Sequence, residues 1–152
     1  MRVLVFSDSH GRVSPMADAV ELYRPDVAFH LGDMIRDGEN LRLACPDLRL
    51  YQVPGNCDWS SQGVNEATIE LEGKKIFYLH GHTRGVMTGI GQAVSAARAE
   101  GAQLLLFGHT HRPVKMEYDD LLAINPGAAE DNRCALLMWE AAGPIQVIPV
   151  GW

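Results

Sequence analysis

The sequence predicts an α/β fold, with one mixed sheet or two stacked sheets, and three observations carry that expectation. Over the first two-thirds of the chain, short apolar runs alternate with segments of helical spacing, the pattern of parallel strands joined by crossovers. After Pro113 the helical spacing stops, and short strands separated by turns read as antiparallel ribbon. The apolar runs of the first part each end on a glycine-containing turn, which is where a strand hands the chain to its next connection.

Arg2 to Phe6 (RVLVF) is β-branched and apolar and stops at Ser7-Asp8, so it reads as a central strand covered on both faces. Helical spacing follows from about Pro15 to Tyr23. DVAFHLGD, Asp26 to Asp33, is a second strand ending on Gly-Asp, and LRLYQVPGNCD, Leu48 to Asp58, is a third ending on Gly-Asn. ATIELEGKKIFYLHGH carries two strands around a Glu72-Gly73 turn, the second ending at His80-Gly81-His82. Gly89 to Glu100 is alanine-rich and helical, and QLLLF then runs into Gly108-His109. VKMEYDDLLAINPG, CALLMWE and IQVIPV supply the strands of the tail.

The 152 residues suit one domain, residues 1–152, long enough to bury roughly two-thirds of the unfolded surface. The composition, 47% hydrophobic and 21% charged, is that of an ordinary globular protein. There is no apolar run of the ~18 residues that a membrane span needs, and MRVLVFSDSHG meets Asp8 too early for a signal peptide, so a cytoplasmic protein is expected. Cys45, Cys57 and Cys134 are odd in number and lack CxxC spacing, which points away from a disulfide framework and a thiolate zinc site. A net charge of −6 argues against general nucleic-acid binding.

Five turns carry Asp, Asn or His after a buried strand: SDSHG, LGD, PGNCD, LHGH and FGHTH. One such residue alone is a turn former or a helix cap. Five together, at the ends of strands whose carboxyl edge is where α/β sheets bind ligands, point to a shared site. Carboxylate, amide oxygen and imidazole without clustered thiolates suit Mn²⁺, Fe²⁺, Ni²⁺, Co²⁺ or Zn²⁺. In DSH and HTH alternate residues project the same way, so each pair can approach one ion. Two pairs with a shared carboxylate can hold two ions, which about 3.5–4 Å apart can clamp a phosphoryl group and activate water.

Taken together, SDSHG, LGD, GNCD, LHGH, GHTH and NPG resemble the calcineurin-like metallophosphoesterase superfamily, especially its small YfcE-type phosphodiesterases, over roughly Met1 to Gly127. The resemblance implies two stacked mixed β-sheets flanked by helices, an αββα sandwich, with a dinuclear metal centre at one end. It places Asp8, His10 and His111 on one ion and Asn56, His80 and His109 on the other, with Asp33 bridging. It further implies two divalent ions per chain, Mn²⁺ first among them, and hydrolysis of a phosphodiester by a hydroxide bridging the ions. Asn56 and His82 are the expected catalytic contacts to the phosphoryl group, and Cys57 stands where many relatives have an acid histidine. Cys57 is either a substrate contact or a small packed side chain, and Asp58 is expected to brace the Asn56 turn.

Arg12, Arg36, Arg84 and Arg112 each follow a ligand turn, where guanidinium groups can meet further phosphate oxygens or serve as solvated loop charge. Arg12, Arg36 and Arg112 are the candidate substrate contacts among them. Asn125 in NPG is expected to support the site or form its turn. A small phosphodiester is the expected partner, with no membrane. Trp139, Val147, Ile148 and Trp152 are core residues or the face of a homo-oligomer. The alternatives are a phosphomonoesterase or nucleotide hydrolase, a metal sensor, and a catalytically weak scaffold like the retromer subunit that shares the fold.

Overall fold

The computed structural model describes residues 1–59 and 63–152. Its elements in chain order are β1 (Arg2–Phe6), α1 (Ser14–Tyr23), β2 (Val27–His30), α2 (Ile35–Ala44), β3 (Leu50–Gln52), β4 (Glu66–Leu71) and β5 (Lys74–Leu79), then α3 (Gly91–Ala99), β6 (Leu104–Leu106), β7 (Val114–Tyr118), β8 (Leu121–Asn125), β9 (Cys134–Met138) and β10 (Gln146–Val150). Single 3-10 turns cover His82–Arg84 and Ala129–Asp131. One five-stranded sheet has the order β10-β9-β1-β2-β3, and the other the order β4-β5-β6-β8-β7. Both are mixed: β1, β2 and β3 are parallel, as are β5, β6 and β8, while β4, β7, β9 and β10 run antiparallel to their neighbours.

Strand alternation explains the layering. Val3, Val5, Phe29 and Leu31 from the first sheet meet Ile76, Tyr78, Leu104, Leu106 and Ile124 from the second in the core between them. Their neighbours point outward. Leu4, Phe6 and Ala28 pack on Met16 of α1 and Leu41 of α2, whereas Phe77, Leu79, Leu105 and Ala123 pack on Ala93, Val94 and Ala97 of α3. With apolar residues facing both ways, the central strands have no polar side, which is why RVLVF and LLL read as unbroken apolar runs. The outcome is the expected pair of stacked mixed sheets flanked by helices.

Two features depart from the sequence reading. The tail strands pair antiparallel as read, β7 with β8 and β9 with β10, but β8 also pairs parallel with β6 and β9 antiparallel with β1, so the tail completes both sheets. Burial decides this, because Ala123, Ile124, Ala135 and Leu137 are fully buried only when inserted beside the older strands. The helix α2 has no clear apolar stripe, and among its residues only Asp37, Gly38 and Leu41 are buried. Gly38 leaves room for the Gln52 carboxamide, which a Cβ there would displace. The Glu72-Gly73 hairpin is as expected, with φ of 44° and 76°, the two left-handed residues of a tight turn. Trp139 lies in the core between the sheets, Val147 and Ile148 pack on core clusters, and Trp152 is partly exposed. No helix among the described residues is long and apolar enough to cross a membrane.

Candidate metal centre

The carboxyl ends of β1, β2, β3, β5 and β6 converge on one edge of the sandwich, and all five ligand turns meet there. The ladder continues past the strands to hold them: Asp8 N donates to Gly32 O, Val53 N to His30 O, and Gly108 N to His80 O. Glycines permit the close approach. A Cβ on Gly55 would strike the Asp33 side chain and backbone, and one on Gly108 would strike Ser7 and the Asp8 carboxylate.

The turns are strained where the donors sit. Asp8, His10, Asp33, His109 and His111 have φ of 55°, 43°, 56°, 68° and 59°, in the left-handed region. For a non-glycine residue this conformation costs roughly 1–2 kcal/mol, and such costs persist where surrounding contacts over-determine the geometry.

Two donor groups result, Asp8, His10, Asp33 and His111 in one and Asp33, His80 and His109 in the other, with the chosen atoms of each group within 4.8 Å of one another. Asp33 belongs to both. Its Oδ2 lies 3.6 Å from His10 Nε2, and its Oδ1 lies 3.4 Å from His80 Nε2. His111 Nε2 is 3.2 Å from Asp8 Oδ1. His80 Nε2 is 3.1 Å from His109 Nδ1 and 3.0 Å from Asn56 Oδ1, so the amide joins the second group. All seven residues assigned to ions from the sequence are therefore brought together.

The chemistry of these atoms fits a cation. His80 Nδ1 donates to the Leu31 carbonyl at 2.7 Å, which leaves Nε2 as a lone pair. That lone pair faces the Asp33 and Asn56 oxygens, which are also acceptors. A second proton on the ring is opposed by burial, which pulls His80 down to about 4. Asp8 Oδ1 and His10 Nε2 are buried without a hydrogen-bond partner among the described residues, the expense a bound cation removes. Burial pushes Asp8 up to about 6, against the Ser7 hydroxyl and His111, which favour its charge. Burial also opposes the charge of Asp33, while the Cys57 N–H donated to its Oδ1 favours it. His109 is lowered by burial, so it too is a neutral donor near pH 7.

Residues behind the donors hold them. Ser7 Oγ and His109 N both donate to Asp8 Oδ2, at 2.6 and 3.1 Å. Asp58 accepts from Gly55 N, Met34 N and Ile35 N, bracing the Asn56 turn as expected and also closing the start of α2. The buried Asn125 donates to Gly108 O and Thr110 Oγ1 and accepts from Gly127 N, so it supports the His109 turn as well as forming its own. Three residues with a place in the site escaped the sequence reading: His30, Asp37 and Glu130. Asp37 lies beside Arg36 outside every motif, and Glu130 follows NPG with no motif of its own.

The candidate substrate contacts fare unequally. His82 stands beside the second group, its ring 5.5 Å from that of His80, with a buried Nδ1 that has no hydrogen-bond partner among the described residues. Cys57 is exposed at the mouth and not a packed side chain; its N–H donates to Asp33 Oδ1, and burial and the Asp33 charge raise its thiol. Arg12 is held by the Glu130 carbonyl and by Asn132 Oδ1, and Arg84 pairs through two bonds with Glu66. Arg36 and Arg112 are exposed.

A fold of two stacked sheets with paired acid and imidazole donors at the strand ends defines a class of metal-binding phosphoesterase domains. Residues 1–137 match the family model of the calcineurin-like phosphoesterase superfamily domain, and the chain belongs to that family. It is 30% identical over 131 residues to the probable metallophosphoesterase YsnB of Bacillus subtilis, covering 84% of this chain and 75% of that one. It is 27% identical over 149 residues to the phosphodiesterase MJ0936 of Methanocaldococcus jannaschii, covering 84% and 83%. Among solved structures, Vps29 of Entamoeba histolytica complexed with zinc has the same fold, with a TM-score of 0.79 at 20% identity over 99% of this chain and 98% of that one.

Proposed function

We propose that the protein is a metal-dependent phosphodiesterase with two divalent ions at the Asp33 site. The observation that carries this reading is the division of Asp33, whose two oxygens face different histidines in different donor groups. When bound, two such ions supply positive charge to phosphoryl oxygens and activate water near neutral pH. The set of imidazole, carboxylate and amide oxygen is compatible with Mn²⁺, the ion of this reading, and equally with Ni²⁺, Fe²⁺, Co²⁺ and Zn²⁺.

The chain's own groups orient the ester. Asn56 turns its Oδ1 to His80 and its Nδ2 toward the exposed mouth, 3.7 Å from Cys57 Sγ, where it can donate to a phosphoryl oxygen. His82 is placed to add a second donor. The raised thiol of Cys57 stays neutral and is a weak acid, so esters with good leaving groups are favoured. The net charge of −6 and the free cysteines accord with a small diester as substrate and with a reducing compartment such as the cytoplasm.

The test is hydrolysis of bis-p-nitrophenyl phosphate by metal-stripped protein after adding Mn²⁺, Ni²⁺, Co²⁺, Zn²⁺ or Mg²⁺, beside Asp33→Asn, with p-nitrophenyl phosphate as the monoester control. Restored turnover of the diester in the parent and not in the variant supports the reading. A second reading, a scaffold that binds metal for partner proteins, is favoured by the likeness to Vps29. Metal binding without turnover of either ester would support it. A size-exclusion elution volume below that of a monomer would place a second copy among the partners.

A further inference from the structure

We propose that Asp37 is a positioning residue: it holds the Asp8–Gly11 turn in its left-handed form and thereby sets the donor group that contains His10. The inference rests on the two-ion reading of the site. Asp37 belongs to neither donor group, yet it is a buried carboxylate, 3% exposed, in the first turn of α2. Its Oδ2 accepts from Ser9 Oγ and from Gly11 N, both at 2.7 Å. Those two donors flank His10, whose φ is 43°. Ser9 itself lies between the donors Asp8 and His10 and is fully buried.

The other side of Ser9 is fixed as well. Its Oγ lies 2.8 Å from Nε2 of the fully buried His30. Gly32 N donates to His30 Nδ1 at 3.4 Å, which leaves the ring proton on Nε2, directed at Ser9. The protons therefore run one way: His30 Nε2–H donates to Ser9 Oγ, and the Ser9 hydroxyl donates to Asp37. A carboxylate is the residue type that terminates such a chain, because it accepts and cannot donate. The chain crosses three elements: His30 ends β2, Ser9 follows β1, and Asp37 opens α2. It joins the backbone of the strained turn to the helix that follows the Asp33 turn.

A carboxylate near the start of a helix also favours the helix dipole, and that plain structural role makes a different forecast. Loss of a helix contact lowers stability and weakens both donor groups alike. Loss of a positioning contact weakens the group of His10, while His80 and His109, carried by β5 and β6, keep their geometry.

Isothermal titration of Mn²⁺ into the metal-stripped full chain separates the two. His10→Ala assigns which binding event belongs to the first group. In Asp37→Ala and in Ser9→Ala that event is expected to weaken by about tenfold or more, the scale found for partners behind metal ligands, while the other changes by less than about threefold. Asp37→Asn, which keeps one acceptor, is expected to recover part of the loss. Equal weakening of both events, or no change in either, in a variant that folds overturns the inference; Ser9→Ala serves if Asp37→Ala does not fold. A parent chain that takes up fewer than two ions instead overturns the two-ion reading, and this inference with it.

Discussion

Glu130 Oε1 stands 3.4 Å from Nδ1 of His111. A carboxylate there holds the ring proton on Nδ1 and leaves Nε2, 3.2 Å from Asp8 Oδ1, as the lone pair that faces the site. The residue is tied in by its backbone too, since its N–H donates to Asp8 O. Glu130→Gln is therefore expected to weaken Mn²⁺ binding by about tenfold with little change in melting temperature. Calorimetry on the metal-stripped protein checks this, and unchanged affinity would remove Glu130 from the site.

Cys57 contributes its backbone N–H to Asp33 Oδ1, and that bond survives a change of side chain. Cys57→His places an acid with an ordinary pKa near neutrality at the mouth. Turnover of diesters with alkoxide leaving groups is expected to rise by about tenfold or more relative to p-nitrophenyl esters, within the range of general-acid contributions. The ratio of kcat/KM on the two classes reads the effect; a constant ratio would show that leaving-group protonation is not what the thiol limits.

The metal-free protein is expected to lose stability as pH falls from about 6.5 toward about 4. Burial pulls both His30 and His80 from 6.5 down to about 4, so in that window the unfolded chain takes up protons that the folded chain refuses. His109, lowered in the same way by burial, adds to the trend. Asp8, raised by burial from 3.8 to about 6, runs the opposite way: its folded form takes up the proton first, which favours the folded state on acidification. With three groups against one, melting temperature measured in chelator should fall between pH 7 and pH 5. A rise would mean that Asp8 dominates.

Of the arginines near the site, Arg12 and Arg84 are engaged with Glu130, Asn132 and Glu66, which leaves the exposed Arg36 and Arg112 to meet a second anionic group. Arg36→Ala and Arg112→Ala are expected to raise KM for a diester bearing an additional phosphate by about threefold to tenfold while leaving bis-p-nitrophenyl phosphate unaffected. A KM for the additional-phosphate diester unchanged in both variants would leave these arginines as solvated loop charge.

Leu106 is fully buried between the sheets, one residue before Phe107 and two before Gly108. Leu106→Ala is expected to cost about 2–5 kcal/mol, through lost transfer energy and the cavity left behind. Denaturant unfolding gives the value, and a cost below about 1 kcal/mol would mean that the core closes around the gap.

The metal donors were legible in the sequence because each sits within a few residues of a buried strand, and strand ends are fixed locally by an apolar run meeting a glycine turn. The strand ends single out the turns that carry these residues, and the resemblance of the motifs implies the set Asp8, His10, Asp33, Asn56, His80, His109 and His111 as candidate donors. Which atoms face each other is not a local property. The division of Asp33 between His10 and His80 depends on the register of β1 with β2 and on the stacking of the two sheets. Glu130 reaches His111 only because the segment after β8 returns across Ser7 and Asp8, and Asp37 reaches Ser9 only because α2 packs beside the first turn. The exposure of Cys57 and the pairing of Arg84 with Glu66 were decided in the same way. Residue type and local pattern determined what this edge of the molecule can bind; tertiary packing, which spends apolar burial to bring distant carboxylates and imidazoles together, decided how those groups are held and charged.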